Sequence, residues 1–571
     1  MTPGEDRRGR VIAMAILLGL GFLVIVARLF HIQVVRAPEL AHQAGRQHQK
    51  MLTVDAGRGA IYDRNGKILA INMEVPSVFG VPKYVQNPHA TAARLGHILK
   101  ADARQLEARL RSGRDFVWLE RRLPPERVEG LQGLSLAGVG VVPEGRRFYP
   151  KGAMLSHVLG FADVDNLGLE GLERRYDPLL RGERGHLVVE RDALGGAVFP
   201  RGLNYLAPSP GKDLVLTIDE VIQYIAEQEL DEAVTRTRAA AGIVIVVEPK
   251  TGALLALAVR PTFNPNEPRE DPNSWRNRAI TDSYEPGSTF KLITAAAALE
   301  EKLFSPDEFI YAEEGRYVVD RTVVHDTHKH GWLTFAEVIS KSSNIGIIKV
   351  AKRLGPETLA WYLTAFGFGQ KTELDLYGEQ RGLTKAPHDW GRRTLASIAM
   401  GQEIGVTAMQ LVMATSAIAN GGWLMRPYVV SEIRASTGDP VARFEPVARR
   451  RPISTETSRT ITDIMRGVVM PGGTGTLAAV PGYSVAGKTG TAQKVDPLTG
   501  GYSATRVVSS FIGFLPAEDP RLTILVVVDE PKTDRWGGTV AAPVFQRIAA
   551  QAVRHLGIPP TAEEGQVLAA R

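Results

Sequence analysis

Three short motifs in a fixed order carry the chemistry of this 571-residue chain: Ser288-Thr289-Phe290-Lys291, then Ser342-Ser343-Asn344, then Lys488-Thr489-Gly490-Thr491. Read as S-x-x-K, S-x-N and K-T-G, they offer a serine nucleophile, a relay to its base, and a cationic strand for an anionic substrate. Tyr284-Glu285-Pro286-Gly287 is a turn that leads into the alanine-rich helical pattern after Ser288. The spacing predicts Ser288 at a helix N-terminus, with Lys291 one turn on and on the same face. A hydroxyl becomes a nucleophile beside a base, and a desolvated lysine is such a base. The helix N-terminus favours the negative charge that develops in acyl transfer. Alone, Ser288 would be an ordinary N-cap.

Ser342-Ser343-Asn344 falls inside Phe335 to Val350, a helical pattern that must break locally to present it. In the functional reading Ser342 passes a proton between Ser288, Lys291 and a leaving amine, and Asn344 orients Lys291 and the substrate amide. Lys488, Thr489, Gly490 and Thr491 lie on a strand pattern that suits backbone pairing with an extended peptide. Lys488 and the threonine hydroxyls are expected to hold a terminal carboxylate, and Gly490 to leave room for close approach.

Similar letters elsewhere fail on context. Ser209-Pro210-Gly211-Lys212 sits in a Pro/Gly loop, and Lys250-Thr251-Gly252 is a hairpin turn. The sharpest rival is a phosphate-binding loop: Gly482 to Thr489 matches G-x-x-x-x-G-K-T, and Ile524 to Glu530 resembles its partner strand. Such a loop must open a helix, whereas Thr491 to Val495 runs into Pro497 and a glycine turn, and no crossover helix follows. His325, His328 and His330, with Asp326, invite a metal but read better as a solvated loop, since no partner cluster stands out.

The absence of cysteine excludes disulfides, thiolate catalysis and cysteine–zinc sites. A net charge of +6, spread without a long basic tract, argues against a dedicated nucleic-acid binder. Its 44% hydrophobic and 23% charged residues are globular values. Val11 to Ala27 holds no polar residue and follows Arg7, Arg8 and Arg10. This run predicts an uncleaved membrane helix over 11–32, with residues 1–10 cytoplasmic and the bulk outside the membrane.

Arg58 to Ala70 brackets Asn65-Gly66, a hairpin signal. Residues 90–133 read as two or three charged amphipathic helices, within a loosely built α+β module over 45–235. Strands are expected at Ala241 to Val247 and Leu254 to Val259, and again at Tyr483 to Ala486, Val507 to Leu515 and Leu522 to Asp529. Helices are expected over Asp219 to Thr235 and Val540 to Leu556. One sheet is thus built from both ends of a 236–560 domain, around a mostly helical insertion from Phe290 to about Gly467.

With these residues in view, the chain resembles the class B penicillin-binding proteins over nearly its whole length. The resemblance extends to Arg147-Phe148-Tyr149-Pro150, His157, Gly160-Phe161, Gly168 to Glu173, and Leu216-Thr217-Ile218-Asp219. It implies a transmembrane helix, an elongated α+β pedestal (dimerisation-type) domain, and a transpeptidase domain with a five-stranded antiparallel sheet, flanking helices and an inserted helical subdomain. It implies a peptidoglycan D,D-transpeptidase in which Ser288 attacks the penultimate D-Ala carbonyl of a donor stem and passes the acyl group to a neighbouring amine. Lys291 would be the base, and the Ser288 and Thr491 amides the oxyanion hole. β-Lactams would acylate Ser288, with no metal or organic cofactor.

No glycan-polymerising module fits before residue 212, so the resemblance implies a partner polymerase of the SEDS type, met through the anchor and the proximal module. The motif texture and size look most like the septal (FtsI-type) branch. The alternatives are the elongation-type branch, a β-lactamase or β-lactam sensor, and a catalytically silent scaffold.

Overall fold

The structure is a computed structural model that describes residues 3–40, 49–54, 56–114, 116–123, 136–191, 197–198, 205–206, 208–268, 271–496 and 499–561. It divides into two compact units, Met1–Gly57 with Gly182–Pro210, and Arg58–Arg181 with Gly211–Arg571. In the first unit, helix Pro3–Phe30 continues into a π-helical turn, His31–Val35. Among the described residues, Arg8–Val35 is the one helical stretch long and apolar enough to cross a membrane, and no part of it is buried. A helix with apolar side chains on every face needs a nonaqueous environment, which suits a membrane anchor. In the same unit, strand Gln49–Val54 pairs antiparallel with Gly185–Arg191, Gln49 opposite Glu190. Pro38 to Lys50 is polar in sequence and reads as a helix or linker after the anchor, and part of it, residues 41–48, lies outside the described residues.

The second unit opens with β1 (Ile61–Tyr62) and β2 (Ile68–Gly80), joined by the Asn65-Gly66 turn. Gly66 takes φ +80° there, and Asp63 Oδ1 accepts from the Asn65 and Lys67 amides at 2.8 Å each. Two helices follow, α1 (Pro88–Leu99) and α2 (Ala103–Leu110), capped by the side chains of Asn87 and Asp102. The helical expectation for residues 90–133 then gives way to strand β3 (Val117–Glu120). Its Val-Trp-Leu-Glu run buries alternate residues, a period of two that charged neighbours hid in the sequence. Residues 124–135 lie outside the described part. The remaining strands of this region are β4 (Val139–Phe148) and β5 (Asp213–Leu216).

One sheet joins β1 to β5 with strands drawn from far along the chain. Strand Val430–Arg434 pairs antiparallel with β5, which pairs parallel with β1. The boundary expected at 235–236 therefore falls inside a continuous unit. Beneath this sheet a buried ionic cluster ties four segments together. Glu173 accepts from Arg58 Nε at 2.7 Å and from Arg147 Nε at 2.6 Å. Arg58 also donates to Asp177 and to the Asn166 carbonyl, and Arg147 to the Gly59 carbonyl. With the Glu173 and Arg58 side chains fully buried, each charge is tolerated because the other is there.

Helix α3 (Glu220–Thr237) is capped by Asp219 and leads to β6 (Ala241–Glu248) and β7 (Ala253–Arg260). Helix α4 (Lys291–Glu300) begins a mostly helical insertion, interrupted by strands β8 (Phe309–Tyr311), β9 (Arg316–Val319), β10 (Thr322–His325) and β11 (Trp332–Thr334). Helices α5 (Phe335–Ser340), α6 (Asn344–Leu354), α7 (Ala408–Ala419) and α8 (Thr455–Val469) follow. The chain then returns to the sheet with β12 (Ala486–Val495), β13 (Tyr502–Leu515) and β14 (Leu522–Asp529), and ends in α9 (Ala542–His555).

The strand order is β7-β6-β14-β13-β12, antiparallel throughout. Ile243, Ile245 and Val247 of β6 join the core shared with α4 and α7, while Val244 and Val246 join the core shared with α3 and α9. A sheet covered on both faces needs apolar residues at every position, so these strands read as unbroken apolar runs. Coverage leaves one consequence for function: β12 is an edge strand, with one side of its backbone free to pair.

The ionic cluster yields a stability prediction. Glu173→Ala leaves the buried Arg147 guanidinium without its carboxylate and Arg58 with Asp177 alone, and should lower the unfolding free energy by about 3–5 kcal/mol, measured by urea denaturation. Unchanged stability would show that water or a rearranged neighbour replaces the carboxylate.

Candidate active site

Ser288 sits in a 3₁₀ turn, Gly287–Phe290, and the α-helix starts only at Lys291. This differs from the expected helix start at Ser288, and the difference serves the geometry. In a 3₁₀ turn residues i and i+3 eclipse, so Ser288 and Lys291 share one side. Gly287 holds φ +56°, and its amide donates to the Gly401 carbonyl at 3.0 Å. A Cβ there would lie 2.9 Å from the Cβ of Ala492 on β12, so only glycine lets the turn lie against the strand.

Lys291 is fully buried, and its Nζ donates to the Ser342 carbonyl at 2.6 Å, to Asn344 Oδ1 at 2.7 Å and to Ser342 Oγ at 3.3 Å. Lys488 is also fully buried, and its Nζ donates to Ser342 Oγ at 2.9 Å and to the Thr489 carbonyl at 3.1 Å. One serine hydroxyl thus bridges two lysines from different motifs. Desolvation lowers Lys291 to about 7, with Asp326 opposing the shift. Desolvation, then the charge of Lys291, pushes Lys488 well below the usual lysine range. The Lys488 side chain is turned inward, onto Ser342.

The expected break between α5 and α6 is present, with Ser342 at φ +61°. A non-glycine residue in the left-handed region is held there by its surroundings. Asp326, at the end of the β9–β10 hairpin, supplies them. Its carboxylate accepts from Ser343 Oγ at 2.6 Å and from the Asn344 and Ile345 amides at 2.5 and 3.0 Å. Asn344 Nδ2 donates to the His325 carbonyl at 2.9 Å. Lys341 Nζ ties the same turn to the Gly472 carbonyl at 2.7 Å. The histidine-rich stretch is therefore a brace for the S-x-N turn, and no metal-binding cluster occurs among the described residues.

Thr489 and Thr491 lie on the pleat opposite Lys488. Thr489 Oγ1 is 2.8 Å from Thr474 Oγ1, and Thr491 Oγ1 accepts from the Gly537 amide at 3.0 Å. A Cβ on Gly490 would fall 2.3 Å from Ser510 Oγ and 2.9 Å from Thr289 Cγ2. The room at Gly490 is thus used by the protein's own packing. The phosphate-loop alternative fails on topology, because Lys488-Thr489 lies within an antiparallel edge strand and opens no helix.

A partly buried serine hydroxyl bridging two buried lysines, one on the helix that follows the Ser288 turn and one on the edge strand β12, is a constellation for acyl transfer. Comparison with known proteins agrees. Residues 242–550 match the penicillin binding protein transpeptidase domain, and 53–216 match the penicillin-binding protein dimerisation domain. The chain belongs to the class B penicillin-binding proteins.

Stage V sporulation protein D of Bacillus subtilis is 40% identical over 94% of this chain and 84% of its own length. The peptidoglycan D,D-transpeptidase FtsI of Escherichia coli K12 is 32% identical over 96% of this chain and 91% of its own. A crystal structure of penicillin binding protein 3 from Mycobacterium tuberculosis, complexed with aztreonam, superposes with a TM-score of 0.70 at 29% identity, covering 90% of this chain and 98% of that one. As a member of this family the chain is a transpeptidase, with the anchor helix, pedestal and antiparallel catalytic sheet expected of it.

Sequence reasoning missed Asp326 as a structural partner, and with it Thr474 and Gly537. Asp326→Ala removes the acceptor for two helix-terminal amides and should destabilise the protein by roughly 1–2 kcal/mol. It should also lower the Lys291 pKa further, because that carboxylate is what holds it up. Thermal unfolding and the pH dependence of β-lactam acylation measure the two effects; an unmoved pH profile would contradict the electrostatic one.

Proposed function

We propose that the protein cross-links peptidoglycan through an acyl-enzyme on Ser288. The observation that carries this reading is the hydrogen-bonded path from Lys291 through Ser342 to Lys488 on the edge strand β12. Neutral Lys291 takes the Ser288 proton as the hydroxyl attacks the penultimate D-Ala carbonyl. Ser342 returns a proton to the leaving D-Ala, and Asn344 keeps the lysine in line. The Ser288 and Thr491 amides hold the oxyanion, and the donor stem lies along the β12 edge with its carboxylate near Thr489 and Thr491. Lys488 supplies positive potential from beneath rather than a direct grip. A neighbouring stem amine then attacks the ester. A β-lactam enters the first half-reaction and stays on Ser288.

The arginines before the apolar helix support an orientation with residues 1–10 cytoplasmic and the catalytic unit outside the cytoplasmic membrane. A SEDS-type polymerase would supply the glycan. Similarity to FtsI supports a septal role, and similarity to a sporulation protein favours a second reading, cross-linking confined to one developmental stage. Midcell enrichment of a fluorescent fusion in dividing cells is expected; signal along the lateral wall would favour the elongation-type alternative.

Incubation with benzylpenicillin should give a one-to-one adduct that peptide mapping places on Ser288 and that Ser288→Ala abolishes. Steady turnover of a chromogenic cephalosporin would instead mark a β-lactamase. Lys291→Ala should slow acylation by about 10²–10⁴-fold, the range of general-base catalysis. The base works unprotonated, so acylation should rise with pH through about 7 and level off above it. A rate already at plateau at pH 5 would remove Lys291 from the role of base.

A further inference from the structure

Strands β8 and β11 form an isolated two-stranded ribbon in which Phe309 faces Thr334, Ile310 faces Leu333 and Tyr311 faces Trp332. Side chains alternate across the ribbon. Ile310 and Leu333 point into the main core, 6% and 5% exposed. Phe309, Tyr311 and Trp332 share the other face, with Phe309 65% and Trp332 66% exposed. The Tyr311 and Trp332 rings lie 5.2 Å apart at 45°, forming an angled wall beside Phe309. Lys349 Nζ lies 5.7 Å from the Tyr311 ring centre, so the rings left to solvent are Phe309 and Trp332, and two such rings on one face call for an occupant.

We propose that this face is a subsite for the sugar rings of the glycan strand that carries the stem peptide; the assignment rests on the transpeptidase reading above. Three observations select a sugar. First, the two cations beside the ribbon are already paired, Lys349 with Glu313 at 2.6 Å and Arg353 with Glu308 at 2.5 Å, while the exposed Glu314 carries no ion pair among the described residues. A face whose spare charge is acidic suits a neutral, hydroxyl-rich ligand better than an anionic lipid surface. Second, pyranose rings present C–H faces that pack on the electron-rich faces of aromatic rings, and the rim adds an acceptor for hydroxyls in Glu314, whose Oε1 accepts from Tyr311 at 3.3 Å.

Third, the ribbon is held in fixed relation to the active site. Thr334 caps α5 through a reciprocal pair with Glu337, and α5 runs directly into the Ser342 turn. Six helical residues advance about 9 Å, which sets Thr334 roughly that far from the turn. An extended stem of about four residues spans roughly 13–14 Å. A stem acylating Ser288 therefore has the length to leave its sugar at the ribbon.

The test uses the full chain in detergent micelles and glycan strands enzymatically stripped of their peptides, with binding read by co-sedimentation. Trp332→Ala should weaken binding at least tenfold, Trp332→Phe less than threefold, and Phe309→Ser, at the other end of the wall, by an intermediate factor. Benzylpenicillin carries no sugar, so its rate of acylation checks that each variant is folded. Peptide-free strands report on the ribbon alone and benzylpenicillin on Ser288 alone, which separates failure of this proposal from failure of the transpeptidase reading. No binding by the wild type, or equal binding by folded Trp332→Ala, overturns the proposal. So does a variant that keeps the glycan but loses a protein partner, which would give the face to that protein.

Discussion

Two lysines buried around one serine hydroxyl are the constraint that the catalytic unit is organised to satisfy. Neither ammonium can be fully charged in that environment without cost, since desolvation acts on both and each repels the other. The surroundings fix the compromise. Ser342 accepts from both lysines, Asn344 and the Ser342 carbonyl take the remaining donors of Lys291, and Asp326 supplies the single carboxylate that favours its charge. Three chain segments separated by up to about two hundred residues must meet for this, and the doubly covered sheet with its helical insertion is what brings them together.

How much of this was legible in the sequence depended on distance along the chain. Ser288 and Lys291 were recoverable because a turn at a glycine followed by a helix is a local matter, and the i, i+3 relation survives the change from α to 3₁₀ geometry. The hairpin around Asn65-Gly66 and the strands β6, β7 and β14 were likewise written in local composition. Asp326 was not. It lies among histidines that suggest a metal, and its task appears only when the β9–β10 hairpin folds back onto the start of α6, 17 residues on. Lys488 was found but its contact with Ser342 was not, because the pleat of β12 against Ser342 is a tertiary fact.

The regions read from the sequence as 45–235 and 236–560 are also joined by a pairing that the sequence did not show, in which strand Val430–Arg434 lies antiparallel to β5. The pairing places residues of the helical insertion in the sheet that also carries β1 and β2. The Arg58–Glu173–Arg147 cluster is equally non-local, with Arg58 and Glu173 115 residues apart and Arg147 and Glu173 26 apart, and it holds together segments of the pedestal region itself. The strand pairing binds the pedestal strands to the catalytic region in one compact unit.

The order of strands in the catalytic sheet also governs when the enzyme comes into being. Its central strand β14 and its edge strand β12 are among the last segments made, while β6, the partner of β14, precedes both by more than two hundred residues. A chain emerging from the ribosome or a translocation channel therefore carries Ser288 and Lys291 long before it carries Lys488 or the edge that would align a donor. Until the final fifth of the polypeptide arrives, Lys291 has no sheet to bury it and keeps the proton of an ordinary solvated amine. The pairing of both lysines with Ser342 is thus completed only when the sheet closes.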